Sequence, residues 1–375
     1  MQVFCLKPAV HLFDRFHEFV QTFSVGKGDL LFTERLFYER YLYPENLSCQ
    51  ILFKDDYDRA EPREETIDAI LQDLRPLSIR RIIAMGGGSV IDIAKILCVK
   101  DAYPCRRVME QQIPMVLDKE LIVLPTTCGT GSEVTYGGIV TMKDTGFKTG
   151  VLAPELSAAH AVLVPELLSA LPLNVFVHCS VDALGHAMES YVSATRGNEM
   201  VRAVGGRAIR LLMDGYATMA LQGTDSRSGL LKQFLTASCL AGMAVNNGGA
   251  GPVHALAYPL GEVYKMSHGE SIYQFLTAVF TYYENTSDGP LLEELRQLLE
   301  PSLRRAGFHT GAVFSDLERL LNQLYPTRNL SACGMTEDDI QPFVENIFQA
   351  KQRLLAASYA PFTPENAADI YRQRL

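Results

Sequence analysis

Five short runs rich in β-branched and aliphatic residues punctuate the first half of the chain, and this alternation constrains the fold more than any other feature. They are Asp29–Thr33, Cys49–Phe53, Arg81–Met85, Leu121–Pro125 and Ala161–Pro165. Between them, Ile67, Ile70, Leu71 and Leu74 recur at intervals of three and four, the mark of an amphipathic helix over 67–77. A second helix is expected from Val90 to Leu97, and a helix-like stretch follows Thr33 through Tyr41. Strands alternating with helices pair in parallel through right-handed crossovers. Residues 1–168 are therefore expected to form an α/β domain.

Beyond Pro165 the pattern changes. A short connector over 167–172 leads into helical periodicity, with helices expected at 230–245 and 291–299. Thr363 before Pro364 reads as an N-cap followed by a first-turn proline. Residues 169–375 are expected to be all-α.

Composition excludes several classes of function. Lys and Arg number 34 against 43 Asp and Glu, a net charge of −9. No basic stripe is available to displace counterions from nucleic acid or to bind an anionic membrane. No apolar run reaches the length of a membrane span. The start, MQVFCLK, lacks the charged and apolar regions of a secretory signal. The eight cysteines show no CxxC and read as reduced thiols in core positions, so a cytoplasmic location is expected.

Two loops carry the marks of a phosphate site. Gly86-Gly87-Gly88-Ser89 lies between a strand and a helix, where glycines admit a phosphate and the helix N-terminus supplies free N–H groups. It is neither GxGxxG nor a P-loop, and a plain tight turn is the competing reading. The second loop, PTTCGTGSE (125–133), gathers threonine and serine hydroxyls and two glycines after another strand. Two such loops favour a dinucleotide over plain turns. Glu34, after the strand ending at Thr33, either accepts from an adenosine ribose 2′-OH, which would select NAD, or is a solvated glutamate.

The helical half carries the ligands of a possible metal centre. Asp182 and His186 are four apart within an apolar helix and share one face. A mutual hydrogen bond would satisfy them, and so would a metal. His254 and His268 complete an Asp-His₃ set of nitrogen and oxygen donors, suited to Fe²⁺, Zn²⁺ or Mn²⁺. Spacing alone does not bring the two pairs together. His178, four before Asp182, reads as a support to the centre or as a capping or solvated residue. His11, His17, His160 and His309 have no companions in sequence and read as structural.

These motifs together resemble the iron-containing (group III) alcohol dehydrogenase family, which shares its fold with dehydroquinate synthase and glycerol dehydrogenase. The matching stretches are GGGSVIDIAK (86–95), LPTTCGTGSEVT (124–135), DALGHAMESYVS (182–193) and VHALAYPLGEVYKMSHGE (253–270). Within the family, VGKGDLLFT (25–33), Cys128 in the second loop, HALAYP (254–259) and QRLLAASYAPF (352–362) are most similar to the branch that acts on 4-hydroxybutyrate.

The resemblance implies NAD-linked, reversible interconversion of 4-hydroxybutyrate and succinate semialdehyde, with a divalent metal, Fe²⁺ ahead of Zn²⁺, polarising the substrate oxygen. It implies Asp182, His186, His254 and His268 as metal ligands. Gly87, Gly88, Ser89 and Asp92 fall at the first nucleotide loop and its helix, and Thr126, Thr127 and Ser132 at the second. Lys148 matches a lysine near the nicotinamide ribose. Tyr258 stands where many relatives carry a histidine assigned to proton relay, so proton transfer or packing against the nicotinamide are both open. For the substrate carboxylate, Lys265 and Arg196 are the residues to consider, each with a solvated alternative. A homodimer or larger assembly is expected. The competing readings are a dehydrogenase of another small alcohol or diol, a dehydroquinate synthase-like lyase, and a non-catalytic homologue.

Overall fold

The computed structural model describes residues 3–58, 62–146, 148–309 and 311–375. The chain divides into two compact units.

The first comprises Leu6–Thr127 and Gly131–Ala170. Its strands are β1 (Ala9–Leu12), β2 (Asp29–Thr33), β3 (Gln50–Phe53), β4 (Arg81–Gly86), β5 (Glu120–Pro125), β6 (Gly137–Thr141), β7 (Lys148–Leu152) and β8 (His160–Leu163). Six of them form one parallel sheet in the order β1-β8-β5-β4-β2-β3, and β6 and β7 form a separate antiparallel hairpin. Every residue of β2 and β4 is buried, which explains their near-continuous apolar runs. Phe16, Phe19, Leu31, Ile83, Ile122, Leu124 and Val162 share one core cluster. The register is pinned where β2 and β4 begin: Arg81 donates to both carboxylate oxygens of Asp29, at 2.9 and 2.6 Å.

The helices of this unit are α1 (Phe16–Thr22), α2 (Glu64–Leu74), α3 (Gly88–Leu97) and α4 (Arg106–Met109). The stretch after Thr33 is not one helix. It breaks into a 3₁₀ turn (Arg35–Phe37), a π turn (Tyr38–Leu42) and a second 3₁₀ turn (Tyr43–Glu45) ended by Asn46 in the left-handed conformation. His11 and His160, expected to stand alone, meet across β1 and β8 with Nε2 and Nδ1 3.0 Å apart. His17 pairs with Glu45 at 2.8 Å.

The second unit contains Leu171–Leu375 together with residues 3–5 and Cys128–Thr130, two short stretches that sequence alone places with the α/β half. Its helices are α5 (Leu173–Val192), α6 (Glu199–Gln222), α7 (Leu231–Gly248), α8 (Pro252–Tyr264), α9 (His268–Thr286), α10 (Pro290–Arg305), α11 (Val313–Leu324), α12 (Glu337–Ala350), α13 (Gln352–Leu355) and α14 (Pro364–Arg372). Helix α5 is packed by α6, α7 and α9, so sixteen of its twenty residues are buried. Thr363 caps α14 as expected, its hydroxyl accepting from Asn366 N–H at 3.3 Å. The first residues are strapped to this unit. Cys5 N–H donates to Asn247 Oδ1 (2.6 Å), Asn247 Nδ2 donates to Cys5 O (3.1 Å), and Asn198 Nδ2 donates to Val3 O (3.1 Å). All eight cysteines are free thiols.

Candidate metal centre and nucleotide loops

Three helices bring the four expected ligands together. Asp182 and His186 project from the middle of α5, His254 from the first turn of α8, and His268 from the first residue of α9. One ligand atom from each lies within 4.8 Å of every other. The Nε2 atoms of His186, His254 and His268 stand 3.7, 3.6 and 3.6 Å from Asp182 Oδ1. These spacings are too long for hydrogen bonds. They match the separation of roughly 3.4 Å between tetrahedral ligands that each lie about 2.1 Å from a shared ion. Asp182 Oδ1 and His254 Nε2 are buried without a hydrogen bond. A divalent cation would satisfy both atoms, and the mutual hydrogen bond between Asp182 and His186 is not made.

The electrostatics also favour positive charge here. Burial alone would raise the Asp182 carboxyl, but His186, His268 and His254 outweigh it and hold the group well below the usual carboxylate range. Burial pushes His186 down to about 4. At His254 burial also acts downward, yet Glu189 and Asp182 prevail and lift the imidazole to about 9.

Close helix approach makes this convergence possible. A Cβ at Gly269, next to His268, would lie 2.5 Å from the backbone oxygen of His178 on α5. A Cβ at Gly185 would lie 3.1 Å from Ile272 on α9. Glycine at both positions lets α9 rest directly on α5.

Sequence reasoning missed Glu189. Its Oε2 lies 2.5 Å from His254 Nδ1, and its Oε1 accepts from Val253 N–H at 2.6 Å. The carboxylate thus fixes the His254 ring with Nε2 turned toward the other ligands and also holds the first turn of α8. The signal was its place on α5, three residues after His186 and seven after Asp182, on the same side of one apolar helix. His178 is neither a cap nor solvated: it is buried edge-on against the rings of Tyr325 and Tyr273.

In the α/β unit, the two glycine loops start side by side. Gly86 pairs with Pro125 at the ends of β4 and β5, and Thr126 N–H donates to Gly86 O at 3.0 Å. Gly86 is demanded by packing, since a Cβ there would overlap Val90. Gly87 is not: a Cβ would meet Thr127 Cγ2 at 3.5 Å, an ordinary contact, so packing does not demand the glycine at the N-cap of α3. Gly88 and Ser89 open that helix. Thr126 and Ser132 are buried in the second loop, and Thr127 is half-buried. Gly131 adopts φ +62°, in the left-handed region that favours glycine.

Glu34 is half-buried beyond the end of β2, with burial raising its carboxyl and Lys54 opposing. Lys148 opens β7 opposite Thr141. Asp92, expected at the nucleotide, also acts as a brace. Its Oδ1 accepts from Lys95 Nζ at 3.3 Å and its Oδ2 from Ile139 N–H at 3.2 Å, which ties the β6–β7 hairpin to α3.

The comparisons agree with this architecture. Residues 34–165 match "Iron-containing alcohol dehydrogenase", and residues 176–375 match "Fe-containing alcohol dehydrogenase family, C-terminal". The chain is 39% identical over 374 residues to 4-hydroxybutyrate dehydrogenase of Clostridium kluyveri, covering 100% of both chains. It is 29% identical to long-chain-alcohol dehydrogenase 1 of Geobacillus thermodenitrificans, over 83% of this chain and 79% of that one. Among solved structures, a 1,3-propanediol oxidoreductase superposes with a TM-score of 0.84 at 23% identity, covering 100% of each chain. Sulfoacetaldehyde reductase from Bifidobacterium kashiwanohense, in complex with NAD⁺, gives 0.83 at 19%, covering 100% of this chain and 98% of the other. With its sheet, its glycine loops and its Asp-His₃ cluster on three helices, the chain belongs to the iron-containing alcohol dehydrogenase family.

Proposed function

We propose that the chain is an NAD-dependent, metal-dependent alcohol dehydrogenase that reversibly interconverts 4-hydroxybutyrate and succinate semialdehyde. The observation that carries this reading is the 39% identity to the Clostridium kluyveri enzyme along the full length of both chains. Among the described residues no helix is long and apolar enough to cross a membrane. A cytoplasmic location and a homodimer or larger assembly belong to the same proposal.

Asp182, His186, His254 and His268 would hold a divalent ion, which supplies Lewis acidity toward the alcohol or aldehyde oxygen. The two glycine loops would hold NAD, whose nicotinamide takes or returns the hydride of the carbinol carbon. Oxidation therefore removes one hydride and one hydroxyl proton, giving aldehyde, NADH and H⁺. The chain's own residues position these partners. Gly87 stands at the start of α3, where the free backbone N–H groups of the first turn suit a pyrophosphate. Thr126, Thr127 and Ser132 offer hydroxyls from the second loop, with Glu34 toward the adenosine ribose and Lys148 toward the nicotinamide ribose. Glu189 keeps the His254 ring in one tautomer.

Tyr258 lies one turn after His254, its ring centroid 6.4 Å from that of His268. The ring stands beside a ligand imidazole, so we assign it a packing role. Tyr258→Phe is expected to lower kcat by less than about tenfold. A loss of about a thousandfold with metal retained would make the hydroxyl a proton relay.

The overall reading is tested by NADH oxidation with Fe²⁺-reconstituted protein on succinate semialdehyde, butyraldehyde and lactaldehyde. A preference of about a hundredfold in kcat/KM for succinate semialdehyde is expected, equal to about 2.7 kcal/mol of transition-state binding. Equal rates on all three would keep the dehydrogenase and overturn the hydroxy-acid substrate. No rate on any, with metal and NAD bound, would overturn the dehydrogenase.

A further inference from the structure

A substrate with a carboxylate needs a cation or a set of donors, and neither residue suggested by sequence supplies one. Lys265 is exposed, sits in the left-handed conformation at φ +56°, and donates its ammonium to Glu262 O at 2.7 Å. It closes the end of its own helix. Arg196 is directed to the Asn246 carbonyl at 3.3 Å.

A third cation touches an aromatic ring that neighbours one of the four ligands. Lys351 stands at the junction of α12 and α13, both of which pack against α8. Its backbone is held by a 2.8 Å hydrogen bond from Lys351 N–H to Ile347 O. Its Nζ sits 4.1 Å from the centroid of the Tyr258 ring, a cation–π contact. That same ring is the neighbour of His268. The Lys351 ammonium and a metal-ligand imidazole therefore neighbour the same aromatic ring.

We infer that Lys351 is the carboxylate-recognition residue of the active site, held in place by the face of Tyr258, and that it selects small ω-hydroxy acids and their semialdehydes over uncharged alcohols and aldehydes. The inference rests on the proposed function and names the subsite that reading requires. With its oxygen end at the four-ligand cluster, an extended four-carbon chain carries its carboxylate about 5 Å away. A charge-assisted bond to an ammonium adds about 3 Å. A four-carbon substrate therefore needs its cation about 8 Å from the cluster. Lysine also suits the position, because its ammonium can donate to a carboxylate while its remaining face stays on the ring.

The test compares wild type, Lys351→Met and Lys351→Arg on succinate semialdehyde and butyraldehyde, which share a chain length and differ in the carboxylate. Lys351→Met is expected to lower kcat/KM for succinate semialdehyde by about a hundredfold, mainly through KM, and to change butyraldehyde less than threefold. Lys351→Arg is expected to recover at least tenfold of that loss. Metal content should not change, and calorimetric titration with 4-hydroxybutyrate should show binding weakened by a similar factor. A parallel fall on both aldehydes would reduce Lys351 to a packing residue, and an undiminished preference in Lys351→Met would place the subsite elsewhere. A wild type indifferent to the carboxylate would overturn the substrate reading itself, a result visible before any variant is made.

Discussion

Asp182→Asn is expected to leave the fold in place and remove the metal. Asp182 is the single carboxylate in the ligand set, and its Oδ1 faces all three Nε2 atoms at 3.6–3.7 Å. The amide keeps the volume and loses the charge, so three imidazoles would face a cation with no anionic partner. Metal content after desalting should fall below about one tenth of an ion per chain. With Lewis acidity lost, kcat/KM should fall by at least about a thousandfold, equal to about 4 kcal/mol. Circular dichroism should be unchanged, because Oδ1 makes no hydrogen bond whose loss would disturb the helices. A variant that keeps both its metal and its activity would remove Asp182 from the ligand set.

The second large effect is expected at Glu189, which touches no proposed substrate position. Glu189→Gln keeps the shape but weakens the hold on His254 Nδ1, and metal affinity should drop by about 10–100-fold in a chelator competition. Glu189→Ala should do more. It leaves His254 Nδ1 and Val253 N–H as buried groups without a partner, at about 1–3 kcal/mol each. The apoprotein should then melt about 5 °C lower or more. The pair of variants separates the two roles: the glutamine tests metal tuning and the alanine adds the helix start. Unchanged metal affinity in both would leave Glu189 a purely structural brace.

Much of this was legible in the sequence, for identifiable reasons. Strands β2, β4 and β5 are buried on both faces, so apolar runs fill their centres, and the glycine ending β4 and the proline ending β5 mark the loops. Strand β1 was not legible. It has four residues, lies at the sheet edge and exposes Val10 and Leu12, so no pattern of burial marks it. The β6–β7 hairpin was hidden by its glycines, and its support comes from Asp92 on another element.

At the metal centre, four-residue spacing brought Asp182 and His186 onto one face, but His254 and His268 depend on how closely α9 can approach α5. That approach is set at Gly185 and Gly269, whose purpose shows only against the opposing helix. Lys351 was out of reach for a similar reason. Nothing around it in the chain points to a ligand, and only the packing of α12 and α13 on α8 brings it over Tyr258.

The strap that fastens Cys5 to Asn247 bears on how the chain folds as it is made. Its two ends lie 242 residues apart. At roughly 5–20 residues per second on a ribosome, the first end waits about 12–50 s for the second to exist. During that interval the α/β strands are already outside the ribosome, while the first residues have no place to bind. Closing so large a loop also carries an entropic penalty that only an assembled α6 and α7 can offset. Cys5 is thus fastened only after Asn247 has been made, long after its own synthesis.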